Sequence, residues 1–526
     1  MKYLFFVIVV ILIIYFPWFN LNNTLSSGDW PYLYPENIES FSFQTRTPFL
    51  WLDPYYQLTA KLGVQFLSLS WELVEKIFWF WPFLTISVAS SYLFLKYLAK
   101  ELGINNNPII FTSFGSLIFT TNTYILMLTG GGQMGVSMAY SMTPLVLFYL
   151  MKLINLSNTT NPNFKFLIVT WLVLAVQLMF DPRIFLLSIL IIFLYILFNL
   201  ENFNTKIFKR IILVLILTIT ANLFWILPNF VYFNTEYKSA IDAANASYLS
   251  FATFSNSISL LHPNWPENIF GKIGFMKSEF IILPILAFLP LLLKPNRAVL
   301  FFSFLGLFGA FFAKGTNPPF GELYEWLSNF PGFSIFRDPT KFYVLIVVSY
   351  IVLIPLSLHK LSDKVSSIKF RIFIIAFLVF WMILIHPALL GHLTGTFEPH
   401  EVPKEYIVFK DFLNVQPENT KTLWVPSIER FGFNSRNMPA ISSMELFGAS
   451  SIFGVLDKFD KPEIKEQLID EEVKYIIVPD DYMMEIFITD RKYDDKLYID
   501  TVNKLRSTVW LYEVKSFGKI KVFEMK

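Results

Sequence analysis

The sequence predicts an α-helical polytopic membrane protein of about eleven transmembrane helices, closed by a C-terminal extracytoplasmic domain of mixed α/β structure. Three observations lead there. The 526 residues are 54% hydrophobic and 18% aromatic, with a mean hydropathy of +0.51, well beyond what a soluble core requires. Apolar runs of roughly 20 residues, the length that crosses a bilayer, recur through residues 1–390. From residue 391 the charge density rises and such runs stop. A net charge of +2 leaves no global basic field, so nucleic acid is not an expected partner, and the lack of cysteine removes disulfides, thiol catalysis and Cys-ligated metals together.

In chain order, the first run, Leu4 to Phe19, follows only Lys2 and lacks a small-residue cleavage site before Trp18-Phe19-Asn20, which reads as a retained anchor. Spans then fall near 3–19, 77–95, 108–128, 137–151, 166–180, 184–199, 211–231, 280–293, 298–313, 342–358 and 372–390. The run at 280–293 is short and carries Pro284 and Pro290. Thirteen Lys/Arg sit in about 54 residues of one set of alternating loops (Lys96/Lys100, Lys152/Lys165, Lys206/Lys209/Arg210, Lys294/Arg297, Lys360/Lys364/Lys369/Arg371), against ten in about 144 residues of the other set. By the positive-inside rule the first set is cytoplasmic. The expectation is a plasma-membrane protein with a cytoplasmic N-terminus and residues 391–526 outside.

Two outer loops are long, 20–76 and 232–279. In the first, Leu62, Phe66, Leu69 and Leu73 recur at helical spacing amid Lys61, Glu72, Glu75 and Lys76, the pattern of a helix lying in the membrane interface or of an ordinary amphipathic connector. In the last region Thr422–Val425, Lys474–Val478 and Val509–Val514 read as strands, with a terminal hairpin about Ser516-Phe517-Gly518.

Asp29, in Ser27-Gly28-Asp29-Trp30-Pro31, follows the first span closely, so its carboxylate should lie near the outer membrane surface. It reads either as a general base there or as a turn residue bonding to its own backbone. Three further acids precede proline, in Asp53-Pro54, Asp181-Pro182-Arg183 and Asp338-Pro339. Asp before Pro is an ordinary helix start. Arg183, Arg337 and Lys341 are not explained that way, because cations at a helix N-terminus oppose the macrodipole. A bound phosphate would relieve this, as would an Asp–Arg pair or interfacial snorkelling. His262, which shares the second long loop with Glu267 and Glu279, either contacts a ligand's pyrophosphate or sugar or packs beside Pro263. No two histidines are spaced as metal ligands. Gly130-Gly131-Gly132 lacks the Gly-Lys-Ser/Thr that would make a phosphate loop, which leaves a hairpin turn.

The order of Gly28-Asp29, Trp51-Leu52-Asp53-Pro54, Leu98-Ala99-Lys100-Glu101-Leu102-Gly103-Ile104 and Phe336-Arg337-Asp338-Pro339-Thr340-Lys341-Phe342 resembles the GT-C membrane glycosyltransferases, nearest the arabinofuranosyltransferase-like and YfhO-type branches. Val473-Lys474-Tyr475-Ile476-Ile477-Val478 is similar to the tails of YfhO-type proteins. The resemblance implies a GT-C-like bundle, a polyprenyl-phosphate-linked sugar donor, and a glycan or glycoprotein acceptor at the membrane. It further implies a first-loop aspartate as catalytic base, a role that falls on Asp29, with Asp53 second. Asp181, Arg183, His262, Arg337, Asp338 and Lys341 are the candidate phosphate and substrate contacts. The paired acids of many GT-C members are absent after the first span, so metal dependence stays open, a divalent cation being one candidate. A transporter or lipid-linked oligosaccharide flippase is the competing reading, though such proteins place ionisable groups at the bilayer midplane and here the spans are nearly charge-free. A non-catalytic membrane scaffold is the third.

Overall fold

The computed structural model describes residues 2–34, 53–104, 108–156, 163–232, 246–247, 249–262, 267–268, 270–272, 277–293, 295–330, 332–362, 366–435, 437–449, 451–479 and 495–526. The chain is a helical bundle followed by one small sheet.

Helix α1 (Lys2–Ile14) is apolar after its first residue and gives way to a 3₁₀ turn, Phe16–Phe19, at Pro17, whose missing N–H cannot extend the helix. Helix α2 (Asp53–Ala60) runs into a π-helical turn, Lys61–Phe66. The helix expected through Leu62, Phe66, Leu69 and Leu73 is broken between 67 and 70, where Ser68 takes a left-handed φ of 53°. Helix α3 (Trp71–Glu75) then continues through a second π turn, Lys76–Phe80, into α4 (Trp81–Glu101).

Next come α5 (Pro108–Thr121), α6 (Thr123–Gly130), α7 (Met134–Leu156), α8 (Phe164–Phe180), α9 (Pro182–Phe198), α10 (Thr205–Ala221) and α11 (Leu223–Tyr232). The single span expected over 211–231 is divided between α10 and α11 at Asn222, whose Nδ2 donates to Ala175 O and whose Oδ1 accepts from Trp225 Nε1. The short α12 (Phe254–Ile258), α13 (Ile282–Leu293), α14 (Arg297–Ala313), α15 (Gly321–Ser328), α16 (Tyr343–Ser362) and α17 (Ser367–Leu384) complete the bundle.

Among the described residues, four helical stretches are long and apolar enough to cross a membrane: Trp71–Glu101, Pro108–Gly130, Met134–Asn155 and Pro339–Leu361. Shorter apolar helices surround them. Helices α5 and α16 are buried almost throughout and pack on each other, with α1, α4, α7, α13 and α14 around them. The outermost helices turn apolar side chains outward, Phe208, Ile212, Leu213, Ile216 and Leu217 on α10 among them. Each would cost roughly 1.5–3 kcal/mol in water relative to burial, and none of that in hydrocarbon. This is a multi-pass membrane protein.

The sheet holds β3 (Lys421–Trp424), β4 (Ala440–Ser442), β5 (Val473–Val478), β6 (Leu511–Phe517) and β7 (Ile520–Met525), after a minor pair β1 (Glu267–Asn268) and β2 (Gly271–Lys272). Its order is β4-β3-β5-β7-β6, parallel across β4, β3 and β5 and antiparallel beyond. The hairpin turns at Gly518-Lys519, so β6 extends through Phe517, which pairs with Ile520. Both faces are covered, as a sheet with parallel strands requires. Leu423, Ile476, Val478 and Phe523 pack against the helices at 452–470 and 495–507, while Trp424, Tyr475, Ile477 and Val522 face α18 (Lys404–Asn414). Tyr34, from the first long loop, joins that second cluster. Thr24 and His400 exchange backbone hydrogen bonds at 2.9 Å, a second tie between the two ends of the chain.

Candidate active site

The turn at 27–30 is built by close backbone packing. Trp30 N–H donates to Ser27 O at 3.0 Å, and Asp29 N–H crosses to Gly131 O at 2.9 Å. Gly28 has φ +57°, and a Cβ there would lie 2.3 Å from Gly131 O; Gly132 has φ +75°, and its Cβ would meet Ser27 O and Trp30 N at 2.4 Å. The triple glycine between α6 and α7 is thus a seat for the Asp29 turn as well as the hairpin turn expected of it.

Two side chains hold this turn from either side. Glu75, wholly buried, accepts from Leu25 N–H at 2.7 Å and Trp30 Nε1 at 2.9 Å, with Lys76 Nζ at 3.8 Å as counter-charge. Lys76 itself donates to Asn23 O and Glu72 O. From the loop between β3 and β4, Arg430 donates to Trp30 O at 2.6 Å and to Gly28 O at 3.1 Å.

The Asp29 carboxylate is open to solvent yet ringed by protein, the situation of a group on the floor of a recess. That surrounding mass raises its pKa above the ordinary aspartate value, against the pull of the hydrogen bond from Gln133 and the charges of Lys341, Arg430 and Arg183. Gln133 Nε2 donates to Asp29 Oδ2 at 3.1 Å, and Gln133 Oε1 accepts from Lys341 Nζ at 3.2 Å. Lys341 Nζ also donates to Asp338 Oδ2 at 2.8 Å. Asp338 caps the 3₁₀ turn Pro339–Phe342 through Thr340 N–H at 3.0 Å and Thr340 Oγ1 at 2.5 Å. Burial alone would raise the pKa of Asp338, but Lys341, Thr340 and Arg183 together hold it below the usual carboxylate range.

Asp181 caps α9 through the N–H groups of Arg183 and Ile184 and binds the Arg183 guanidinium, with Nη2 to Oδ2 at 2.6 Å. The two roles weighed from sequence, cap and Asp–Arg pair, are both filled by one carboxylate. The macrodipole conflict at Arg183 is met locally in this way. His262 is buried between Tyr124 and Tyr343, at ring-centre distances of 5.3 and 5.1 Å, and its N–H donates to Thr123 Oγ1 at 3.0 Å. Burial pushes its pKa down to about 3, opposed by Asp338 and reinforced by Lys341, so the ring is neutral at physiological pH.

The structure therefore gathers Asp29, Arg183, Asp338 and Lys341 about one recess, with Asp181 paired to Arg183 and His262 within electrostatic reach of Asp338 and Lys341. Arg337 is half-buried and is not among the charges acting most on Asp29 or Asp338. Asp53 opens α2, and its side chain lies outside the described residues, as do Pro263 and the side chain of Glu267. Gln133, Glu75 and Arg430 were not anticipated as site residues. A glutamine one residue after a triple glycine was the one available signal. Among the described residues no three His, Asp or Glu side chains converge as metal ligands. The acids described at the recess are answered by cations and an amide.

The fold is shared with a membrane arabinofuranosyltransferase of known structure. The chain is similar to the arabinofuranosyltransferase AftD from Mycobacteria, seen by single-particle cryo-EM: TM-score 0.63 at 12% identity, covering 100% of this chain and 40% of that one. A mutant of AftD matches at TM-score 0.62 and 12% identity, over 99% of this chain and 41% of that one. The chain thus spans about two fifths of the length of AftD. Apo ArnT from Cupriavidus metallidurans aligns over 99% of this chain and 97% of its own, at TM-score 0.39 and 9% identity. No family model matches the sequence, and no curated protein matches it.

Proposed function

We propose that this chain is a membrane glycosyltransferase that moves a sugar from a polyprenyl-phosphate-linked donor to a cell-surface or lipid-linked glycan or glycoprotein. In this reading about eleven spans place the N-terminus in the cytoplasm, and the recess and the domain at 391–526 on the outer face. The supporting observation is a solvent-open carboxylate, Asp29, set among Lys341, Arg183 and Arg430 within a GT-C fold.

Asp29 takes the proton of the acceptor hydroxyl as that oxygen attacks the anomeric carbon. The bond from that carbon to the phosphate oxygen breaks, and the phosphate leaves with the electron pair. Three cations and three carboxylates, Asp29, Asp181 and Asp338, balance to zero before the reaction. When Asp29 receives the proton, the set becomes net positive just as negative charge grows on the departing phosphate. The raised pKa of Asp29 suits it to hold a proton for that moment.

Mass spectrometry of lipid-linked and surface glycans, with the wild-type gene, without it, and with Asp29→Asn, tests the reading. Loss of one sugar class in both the deletion and the variant, with the variant normally inserted, is the expected result. Unchanged glycans with Asp29→Asn would remove Asp29 from the role of base, and altered lipid flux with unchanged glycan chemistry would favour a transporter.

A further inference from the structure

We propose that Arg430 is a positioning residue for Asp29, and that the candidate site is complete only when the C-terminal sheet region is docked on the first long loop. The proposal deepens the glycosyl-transfer reading and rests on it for its catalytic part.

The geometry is specific. Arg430 sets one guanidinium nitrogen on the carbonyl of Trp30, at 2.6 Å, and another on the carbonyl of Gly28, at 3.1 Å. These are the carbonyls of the residues before and after Asp29, so the planar fork fixes the backbone that aims the carboxylate. A lysine, with one compact ammonium, has no rigid pair of donors to span both carbonyls. The guanidinium also sits close enough to help hold down the pKa of Asp29.

The loop that carries Arg430 is itself tied to the strap it grips. Tyr34 OH donates to Phe431 O at 3.0 Å. The Tyr32 ring meets Phe431 at 5.4 Å, and the Tyr34 ring meets Phe433 at 5.8 Å. Glu429 O accepts from Gly432 N–H at 2.8 Å, closing a turn with Arg430 at its apex. On the opposite side the same strap rests on Gly131, through the Asp29 N–H, and on Gly132, where no side chain fits. Segment 27–34 is therefore gripped between the α6–α7 turn and a loop some 400 residues later. A contact made merely to seal a surface needs no charged fork at the two carbonyls that flank the base.

The test is hydrogen exchange by mass spectrometry on the full chain in lipid nanodiscs, comparing wild type, Arg430→Lys and Arg430→Ala. Exchange of the Asp29 and Trp30 amides should rise roughly tenfold or more in Arg430→Ala, less in Arg430→Lys, while peptides from α5 and α16 stay protected. Unchanged exchange at residues 27–31 in either variant, with β3 still protected, overturns the clamp whatever the activity. If Arg430→Ala loosens β3, the Arg430→Lys result decides.

Transfer from a synthetic polyprenyl-phosphate sugar supplies the second readout. Both variants should lose kcat, with KM for the donor changed by less than about twofold, because the clamp is asked to hold the base and not the donor. The acid limb of the pH profile should move upward in Arg430→Ala, which loses the positive charge, and stay in place in Arg430→Lys. Loosened exchange with full kcat in both variants overturns the positioning role. Absence of transfer in wild type would be a failure of the glycosyl-transfer reading, and it leaves the exchange result standing by itself.

Discussion

Gln133 joins Asp29 side chain to side chain across 104 residues of sequence, its Nε2 donating to Oδ2 at 3.1 Å. The other end of the same amide accepts from Lys341. The candidate base and Lys341 are therefore linked through one neutral group that cannot take the proton from either.

Replacing Gln133 with Leu removes a hydrogen bond that favours the ionised form of Asp29. With that bond gone the pKa of Asp29 rises further. Transfer requires the ionised base, so the acid limb of the pH–rate profile should shift to higher pH, with the plateau rate less affected. A limb unmoved in Gln133→Leu would mean that Asp29 is not the group titrating there.

Lys341 is almost wholly buried, and its partner Asp338 keeps about a quarter of its side chain open. Lys341→Met should cost about 2–4 kcal/mol, allowing for solvent screening at Asp338. Asp338→Asn with Lys341→Met removes the stranded charge and should regain part of that stability without restoring transfer. Thermal unfolding in detergent together with a transfer assay checks both halves. Recovery of activity in the double variant would place Lys341 in a structural role alone.

His262 binds a proton less readily in the folded chain, with a pKa near 3, than at its ordinary value of 6.5. Between those two values the unfolded chain takes up a proton that the folded one refuses. Stability should thus fall on acidification through this window, by at most about 1.4 kcal/mol per pH unit. His262→Phe, which keeps a ring between Tyr124 and Tyr343, should flatten this limb. Unfolding temperatures at neutral and mildly acidic pH, compared between wild type and variant, decide the matter, and an identical slope in the two would rule out His262 as its source.

Gly28→Ala and Gly132→Ala each place a methyl within 2.4 Å of backbone atoms of the opposing turn, at a positive φ. Each should cost on the order of 1–3 kcal/mol and separate the Asp29 turn from its seat. Transfer should fall more than global stability does. A crystal or cryo-EM structure of Gly28→Ala with the Asp29–Gly131 hydrogen bond intact would contradict this.

The bundle and the strands were legible because they rest on local pattern. Apolar runs marked α4, α5, α7 and α16, and short β-branched runs marked β3 and β5. Asp181 and Asp338 could be read as caps for the same reason, since the partners of a cap lie within three residues. Helix ends were harder to read, because hydropathy does not register Pro17, Ser68 or Asn222, where the backbone turns while the sequence stays apolar or amphipathic. The eleven expected spans therefore exceed the four helical stretches long and apolar enough to cross a bilayer among the described residues. Gln133, Glu75 and Arg430 were out of reach for another reason: each acts on a partner 45 to 402 residues away, and no periodicity encodes such a pairing. The triple glycine was visible as a turn, but its role as a seat appears only with Gly28 packed against it.

Tyr34 in the hydrophobic cluster of the sheet, and Thr24 bridged to His400, bear on how the protein is made. At 5–20 residues per second, roughly 20–80 s of translation separate the emergence of Tyr34 from that of Phe431. During that interval the strap has no partner on its sheet side, and brief protease pulses on nascent chains should cut it then and spare it once synthesis ends. The last hundred residues act, in effect, as the clasp that ends a vulnerable stage of biogenesis.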